Sequence, residues 1–171
     1  MAKQPKAPAL VLSFPELVRQ HQGMIRTFLF RLCRNRALAD DLAQDTFLRA
    51  HQKWEQASGG SQKAWLFKIA YRIFLDHVRK DKRRRGLTEA APPPGEIDPP
   101  LARPVGMQMD IERAMDSLPD SQRACVMLCL AYGFSHSEAS AALNLPLGTV
   151  KSHVARGKSV LKTFLTAYQE A

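Results

Sequence analysis

Apolar residues recur at helical spacing in a series of segments, a pattern that predicts an all-α protein. Leu17, Ile25, Phe28, Leu29 and Leu32 form the inward side of a first helix ending near Cys33. Ser13, with Glu16 three residues on, makes a capping box at its start, and Pro15 falls in the first turn, where a missing amide is harmless. Leu38, Leu42, Ala43, Phe47, Ala50 and Trp54 define a second helix over about 37–54, on which Asp41, Gln44, Asp45 and Leu48 share a different face. A third helix, over about 63–80, turns Leu66, Ile69, Ala70, Ile73 and His77 inward and Trp65, Lys68, Arg72, Asp76 and Arg79 outward. It runs on into a charge cluster of Arg79, Lys80, Asp81, Lys82, Arg83, Arg84 and Arg85. The stretch QASGGSQ at 56–62 reads as a polar loop whose glycine pair leaves backbone free to approach a ligand.

The periodicity then stops. Six prolines, Pro92, Pro93, Pro94, Pro99, Pro100 and Pro104, mark a linker, and such proline density keeps a connector extended, so that two domains can be held apart and reoriented. Helical pattern resumes near Met107 with Met109, Ile111, Ala114, Met115 and Leu118. Asp120 or Ser121 caps the next helix, which runs through ACVMLCLAY to Gly133 and is apolar nearly all round, as a central helix should be. Beyond it, Ser135 and Glu138 form a second capping box, Ala139, Ala142 and Leu143 give a short helix its apolar side, and Asn144 can adopt the left-handed conformation that closes it. Another helix begins near Leu147. Val150, Val154, Leu161 and Leu165 recur on one face, while Lys151, Ser152, Ala155, Arg156 and Ser159 lie on the other. Two short helices joined by a tight turn, the second with a basic outer face, read as a helix-turn-helix. The expected architecture is therefore two small helical domains, 13–86 and 108–168, joined by a flexible linker over 87–107.

Charge sharpens this picture. Among 171 residues, 25 Lys and Arg stand against 16 Asp and Glu, for a net charge of +9. Residues 1–86 hold 18 basic and 7 acidic side chains, 87–117 hold 2 and 6, and 118–171 hold 5 and 3. The excess favours a polyanionic partner, and it resides mainly in the first domain rather than in the helix-turn-helix. No apolar run is long enough to span a bilayer, and the start, MAKQPKAPALVLSF, has too short an apolar core for a secretory signal; a cytoplasmic protein without membrane insertion is expected. Cys33, Cys125 and Cys129 have no zinc-finger spacing, and the last two sit in an apolar run, where cysteine packs as a small hydrophobe. The chain has no Gly-rich phosphate loop, no nucleophile elbow and no carboxylate cluster, and its five histidines lack ligand spacing. The expectation is a protein with no catalytic residue, no cofactor and no metal.

Three segments in this order, ADDLAQDTFLRAHQKW, then AWLFKIAYRIFLDHVRK, then LPDSQRACVMLCLAYGFSHSEASAALNLPLGTVKSHVARGKSVL, strongly resemble bacterial RNA polymerase sigma factors of the extracytoplasmic-function (ECF) type, in the sigma-70 family. The resemblance covers about 13–85 and 109–165. It implies two helical domains that bind RNA polymerase core enzyme and read two elements of promoter DNA. By motif it assigns Asp41, Leu42, Gln44, Asp45, Phe47 and Leu48 to the surface that binds the polymerase clamp helices, with the exposed Asp41, Gln44 and Asp45 foremost. An acidic and amide face on a basic domain suits a basic protein partner.

For the minus-ten element the resemblance implies Lys53, Ser58, Lys63, Lys68, Tyr71, Arg72, Arg79 and Lys80. A melted strand needs hydrogen-bonding and stacking groups for its bases, and Lys or Arg for its phosphates. The family commonly has Asn where this chain has Arg72, which favours phosphate binding over base readout there. For the minus-thirty-five element it implies Thr149, Lys151, Ser152, Ala155 and Arg156. Lys and Arg can donate to guanine edges or phosphates, and Ala155 can touch a thymine methyl. An anti-sigma factor is a further implied partner, one that masks apolar surface on both domains. The alternative reading is a stand-alone, dimeric helix-turn-helix regulator that binds a palindrome without polymerase.

Overall fold

The computed structural model describes residues 12–59, 61–86 and 107–165. Within them lie seven α-helices and no strand: α1 (Phe14–Cys33), α2 (Arg36–Gln52), α3 (Gln62–Gly86), α4 (Met107–Asp116), α5 (Asp120–Val126), α6 (His136–Leu143) and α7 (Leu147–Leu165). The expected linker lies outside the described residues, except for Met107, which begins α4.

Local chemistry sets the helix ends. The Glu16 carboxylate accepts from the Ser13 amide at 2.9 Å and from its hydroxyl at 2.6 Å, closing the first turn of α1. These bonds favour the ionised carboxylate and hold Glu16 below the usual carboxylate pKa. Arg34, left-handed at φ 58°, ends α1 by donating its amide to the Phe30 carbonyl at 2.7 Å. Asn35 then caps α2, accepting from the Leu38 amide at 2.8 Å. The reversal therefore takes only two residues, and α1 and α2 pack side by side. Helix α3 lies across both and completes a core of Leu17, Ile25, Phe28, Leu29, Leu66 and Phe67, all fully buried. Thr46, polar in the sequence pattern, is also fully buried, because its hydroxyl donates to the Leu42 carbonyl one turn back at 2.7 Å.

Helix α3 departs from the expected pattern in two ways. The charge cluster is helical through Gly86, and Trp54–Gly59, which takes in the expected end of the second helix and the first part of the loop expected at 56–62, forms a 3₁₀ turn. Its buried set is Leu66, Phe67, Ala70, Tyr71, Ile73 and Phe74, whereas Ile69 and His77 are only half-buried. The aromatic residues widen the buried arc because a second body covers a second side of α3.

That body is the second domain. Helices α4, α5 and α6 pack on α7, and α6 also packs along α3. The expected continuous helix to Gly133 instead passes from α5 into a π-helical turn at Met127–Ala131, closed by Tyr132 N–H to Met127 O at 3.0 Å and Phe134 N–H to Leu128 O at 2.9 Å. Gly133, at φ 72°, supplies the left-handed residue that lets the chain reverse into α6. The turn between α6 and α7 is built on Asn144 at φ 52°, and the Ser140 hydroxyl locks it by donating to the Leu145 carbonyl at 2.6 Å.

The extended linker leaves the arrangement of the two domains open, and here they meet: apolar surface on α3 and around Tyr132 and Phe134 is buried by coming together. Phe67 lies 5.1 Å from Tyr132 and 5.3 Å from Phe134, ring to ring, and Tyr132 reaches Phe28 at 6.3 Å. Arg123, 7% exposed, ties the junction. Its guanidinium donates to the carbonyls of Met115 (2.8 Å), Asp116 (3.1 Å) and Leu118 (2.8 Å) and, across the junction, of Arg31 (3.1 Å). Ion pairs Arg31–Glu112 and Arg34–Asp116 flank it.

Two substitutions test this packing. Arg123→Met takes the guanidinium from four carbonyls, of which Met115 still accepts from the Leu118 amide at 3.2 Å, and should cost about 3 kcal/mol, read as a lowered urea midpoint by circular dichroism. Gly157 on α7 abuts Val126, and an added Cβ would collide with that branched side chain. Gly157→Ala should lose about 2 kcal/mol, and less in a Val126→Ala background.

Candidate nucleic-acid and polymerase interfaces

Three surfaces carry the expected site residues. The first is on α2, where Asp41, Gln44 and Asp45 are exposed beside Leu48, whose exposure reaches 58%. A leucine displayed next to two carboxylates gives this face a greasy centre within an acidic field. The structure moves Leu42 off this face and into the core, at 4% exposure, and leaves Phe47 half-buried. Leu42 and Ala43 are buried in the core, so the same helix that presents carboxylates outward is anchored inward.

The second surface is a groove of about 490 Å³ formed where α2 ends beside the middle of α3, lined by Arg49, Lys53, Gln56, Trp65, Lys68, Ile69, Arg72 and Asp76. Lys53, Lys68 and Arg72 are exposed there, as expected. Arg49 joins them, although it was not singled out in the sequence; its place on the groove depends on how α2 crosses α3, which α2's own periodicity does not reveal. Arg49 and Arg79 both approach Asp76, at 3.8 and 3.5 Å, so one carboxylate spaces two guanidiniums along the groove edge. Trp65 is half-buried, 6.2 Å from Trp54 ring to ring, and presents an aromatic surface among four cations. That combination of aromatic face and Lys and Arg suits a single nucleic-acid strand. Arg79 and Lys80 continue the exposed basic surface along α3. The side chain of Ser58 lies outside the described residues.

Two expected members stand elsewhere. Tyr71 is 4% exposed, stacked near Phe74 at 6.3 Å, and burial pushes its phenol up to about 12. Lys63 points across the domain junction, where its ammonium donates to the Tyr132 carbonyl at 2.6 Å and sits 4.9 Å from the Phe134 ring centre. Burial lowers its pKa, an effect opposed by the Glu138 carboxylate on α6.

The third surface is the outer side of α7. Lys151, Ala155 and Arg156 are exposed, while Thr149 and Ser152 are half-buried, with the Ser152 hydroxyl donating to the Thr149 carbonyl at 2.9 Å. Val150, Val154 and Gly157 are buried on the opposite side, so the rotational setting of the helix follows from packing on α5. This places the exposed side chains as a recognition helix would.

Among the described residues no arrangement of side chains resembles a reaction centre. Burial pushes the Cys125 thiol up to about 12 and raises that of Cys129, so both are protonated at neutral pH. Among the described residues no group of three His, Cys, Asp or Glu could hold a metal ion, and no helix is long and apolar enough to cross a membrane.

Comparison with known proteins agrees with this geometry. Residues 17–84 match the family model described as sigma-70 region 2, and residues 108–161 match that of sigma-70, region 4. The ECF RNA polymerase sigma factor EcfG of Rhodopseudomonas palustris (strain TIE-1) is 36% identical over 147 residues, covering 82% of this chain and 78% of EcfG. The ECF sigma factor SigE of Mycolicibacterium smegmatis is 36% identical over 167 residues, covering 94% of this chain but only 64% of SigE. Among solved structures, the sigma factor RpoE from Bartonella quintana, in complex with the anti-sigma factor NepR, superposes with a TM-score of 0.77 at 30% identity, covering 90% of this chain and 96% of that one. These similarities span both domains and leave the stand-alone dimeric regulator without support. The two family models and these relatives, together with an acidic face, a basic groove with an aromatic floor and a helix-turn-helix in that order, place the chain in the ECF family of RNA polymerase sigma factors, which are initiation factors and not enzymes.

Proposed function

We propose that this chain is an alternative bacterial sigma factor that binds RNA polymerase core enzyme in the cytoplasm and directs it to promoters by reading their minus-ten and minus-thirty-five elements. The observation that carries the reading is the separation of charge within one small domain: carboxylates on the outer face of α2, and Arg49, Lys53, Lys68 and Arg72 around the groove against α3. A protein with a single polyanionic partner has no use for the first surface. A factor bound to polymerase and DNA at once needs both.

In this reading Asp41, Gln44, Asp45 and Leu48, with Phe47 behind them, dock on the polymerase clamp, charge orienting the encounter and Leu48 supplying apolar area. Leu42 supports that face from within. The groove takes the melted minus-ten strand, its phosphates on the cations and a base on Trp65; Arg79 and Lys80 extend the phosphate track. Lys63 and Tyr71 belong to the same helix and join the strand when the domain junction separates, and Ser58 borders the site by sequence. Thr149, Lys151, Ser152, Ala155 and Arg156 meet the minus-thirty-five duplex in its major groove. RpoE's capture with NepR supports an anti-sigma factor as a further partner here.

Adding the purified protein to sigma-free core enzyme should give transcripts from a specific set of promoters. Absence of both core binding and specific transcripts would overturn the proposal, as would tight binding to a palindrome without polymerase. Replacing Asp41, Gln44 and Asp45 together by Ala should weaken core binding about tenfold in a pull-down or anisotropy titration while leaving thermal unfolding unchanged. Arg72→Gln should weaken single-strand binding and make the slope of log affinity against log salt shallower by about 0.7, the loss of one phosphate contact.

A further inference from the structure

A second set of aromatic rings lies where the start of α1, the end of α2 and the start of α3 come together. Phe14, in the first turn of α1, meets the His51 ring of α2 at 4.9 Å and Trp54 at 5.3 Å, both edge to face. Trp54 opens the 3₁₀ turn after α2 and meets Trp65 of α3 at 6.2 Å, with the ring planes 67° apart. The Gln62 side chain stitches the same corner: its Oε1 accepts from the Leu12 amide at 2.8 Å and its Nε2 donates to the Leu12 carbonyl at 3.0 Å. Trp65 lines the groove beside Lys68 and Arg72, whereas Trp54 stands outside the groove's described lining and packs against the core.

We infer that Trp54, with Phe14 behind it, is a positioning residue for strand capture: it sets the plane of the Trp65 ring, so that a base of the minus-ten strand meets a platform already oriented. The inference rests on the proposed reading of the groove and adds to it a residue that touches no DNA. A tryptophan ring turns about a terminal torsion whose preferences are broad, so the α3 backbone does not by itself fix the plane of Trp65. The groove's other described lining residues carry no ring that could fix it either. The plane is therefore set from behind, by Trp54, in the edge-to-face geometry that ring quadrupoles favour. Trp54 is equally free about its own torsion, and Phe14 holds it in the same way. Phe14 in turn sits on a helix start kept in place by the Ser13–Glu16 capping box and by Gln62 of α3. A platform fixed before the strand arrives loses little freedom on binding, so more of the stacking appears as affinity. The groove cations attract phosphates whatever the plane of the ring. What depends on Trp54 is the part of binding that needs a base.

The test uses the full chain assembled with core enzyme and follows the anisotropy of two fluorescein-labelled single strands of equal length, one of mixed sequence and one abasic. Trp54→Leu, which keeps apolar bulk but no ring, should weaken binding of the mixed-sequence strand about tenfold and leave the abasic strand unaffected. The slope of log affinity against log salt should stay the same, because no phosphate contact is lost. Trp65→Leu should show the same loss, and the double variant should be no weaker than Trp65→Leu, since both substitutions remove one platform. Trp54→Phe restores a ring edge and should bind the mixed-sequence strand within about twofold of the unsubstituted chain. The inference is overturned if Trp54→Leu binds as the unsubstituted chain does, if it loses equally on the abasic strand, or if its effect adds to that of Trp65→Leu. A Trp65→Leu variant that binds both strands normally would instead overturn the reading of the groove on which the inference rests.

Discussion

Helix α3 must be buried on two sides, and most of the molecule's organisation follows from that constraint. One side carries Leu66, Ala70 and Ile73 and closes the three-helix core with α1 and α2. The aromatic residues Phe67 and Tyr71 lie at the border of that core, meeting Phe28 of α1 at 5.2 and 6.5 Å, and leave aromatic area on the far side that a domain of this size does not cover alone. The second domain supplies the cover with Tyr132 and Phe134, residues of the segment between the π-helical turn and α6. Arg123 then makes the contact directional, since its planar guanidinium satisfies carbonyls at the end of α4, in the following turn and at the end of α1. A purely apolar seam would tolerate sliding; four hydrogen bonds from one fork do not.

This arrangement couples stability to the surfaces proposed to read DNA. The groove cations on α2 and α3 remain exposed, so nonspecific attraction to phosphate is available at all times. The polar side of α7 is likewise exposed, because Val150, Val154 and Gly157 set its rotation from behind. What the junction removes is narrower: Lys63, Tyr71 and the approach along Trp65. Charge distribution fits the same logic. The second domain carries little net positive charge and the first a large excess, so the helix-turn-helix can rely on its neighbour for attraction and concentrate on the few groups that distinguish bases.

Much of this was legible residue by residue. Both capping boxes, the left-handed Asn144 and the helix-turn-helix follow from local rules, and the capping residues are where those rules place them. The acidic face of α2 was legible because spacing alone puts Asp41, Gln44, Asp45 and Leu48 together. Arg49 was not, because its membership of the groove depends on the crossing of two helices. Lys63 and Tyr71 read as surface residues because an apolar stripe wide enough for two partners looks, from one helix, like a single inward face with polar neighbours. Arg123, one charge between the polar Asp120–Gln122 and the apolar run that starts at Ala124, gave no sign that four backbone carbonyls would converge on it.

The sequence by itself determined the helices, their caps, the split into two domains and the residue types on each outward face, since these depend on contacts within one or two turns of chain. The tertiary structure alone decided that the domains close on one another, that Lys63 of α3 is held by a carbonyl of the second domain, and that a π-helical turn carries Tyr132 and Phe134 into the seam. Those outcomes are set by pairing of surfaces distant in the chain, where burial of area and geometry of hydrogen bonds, rather than periodicity, choose among the arrangements an extended linker permits.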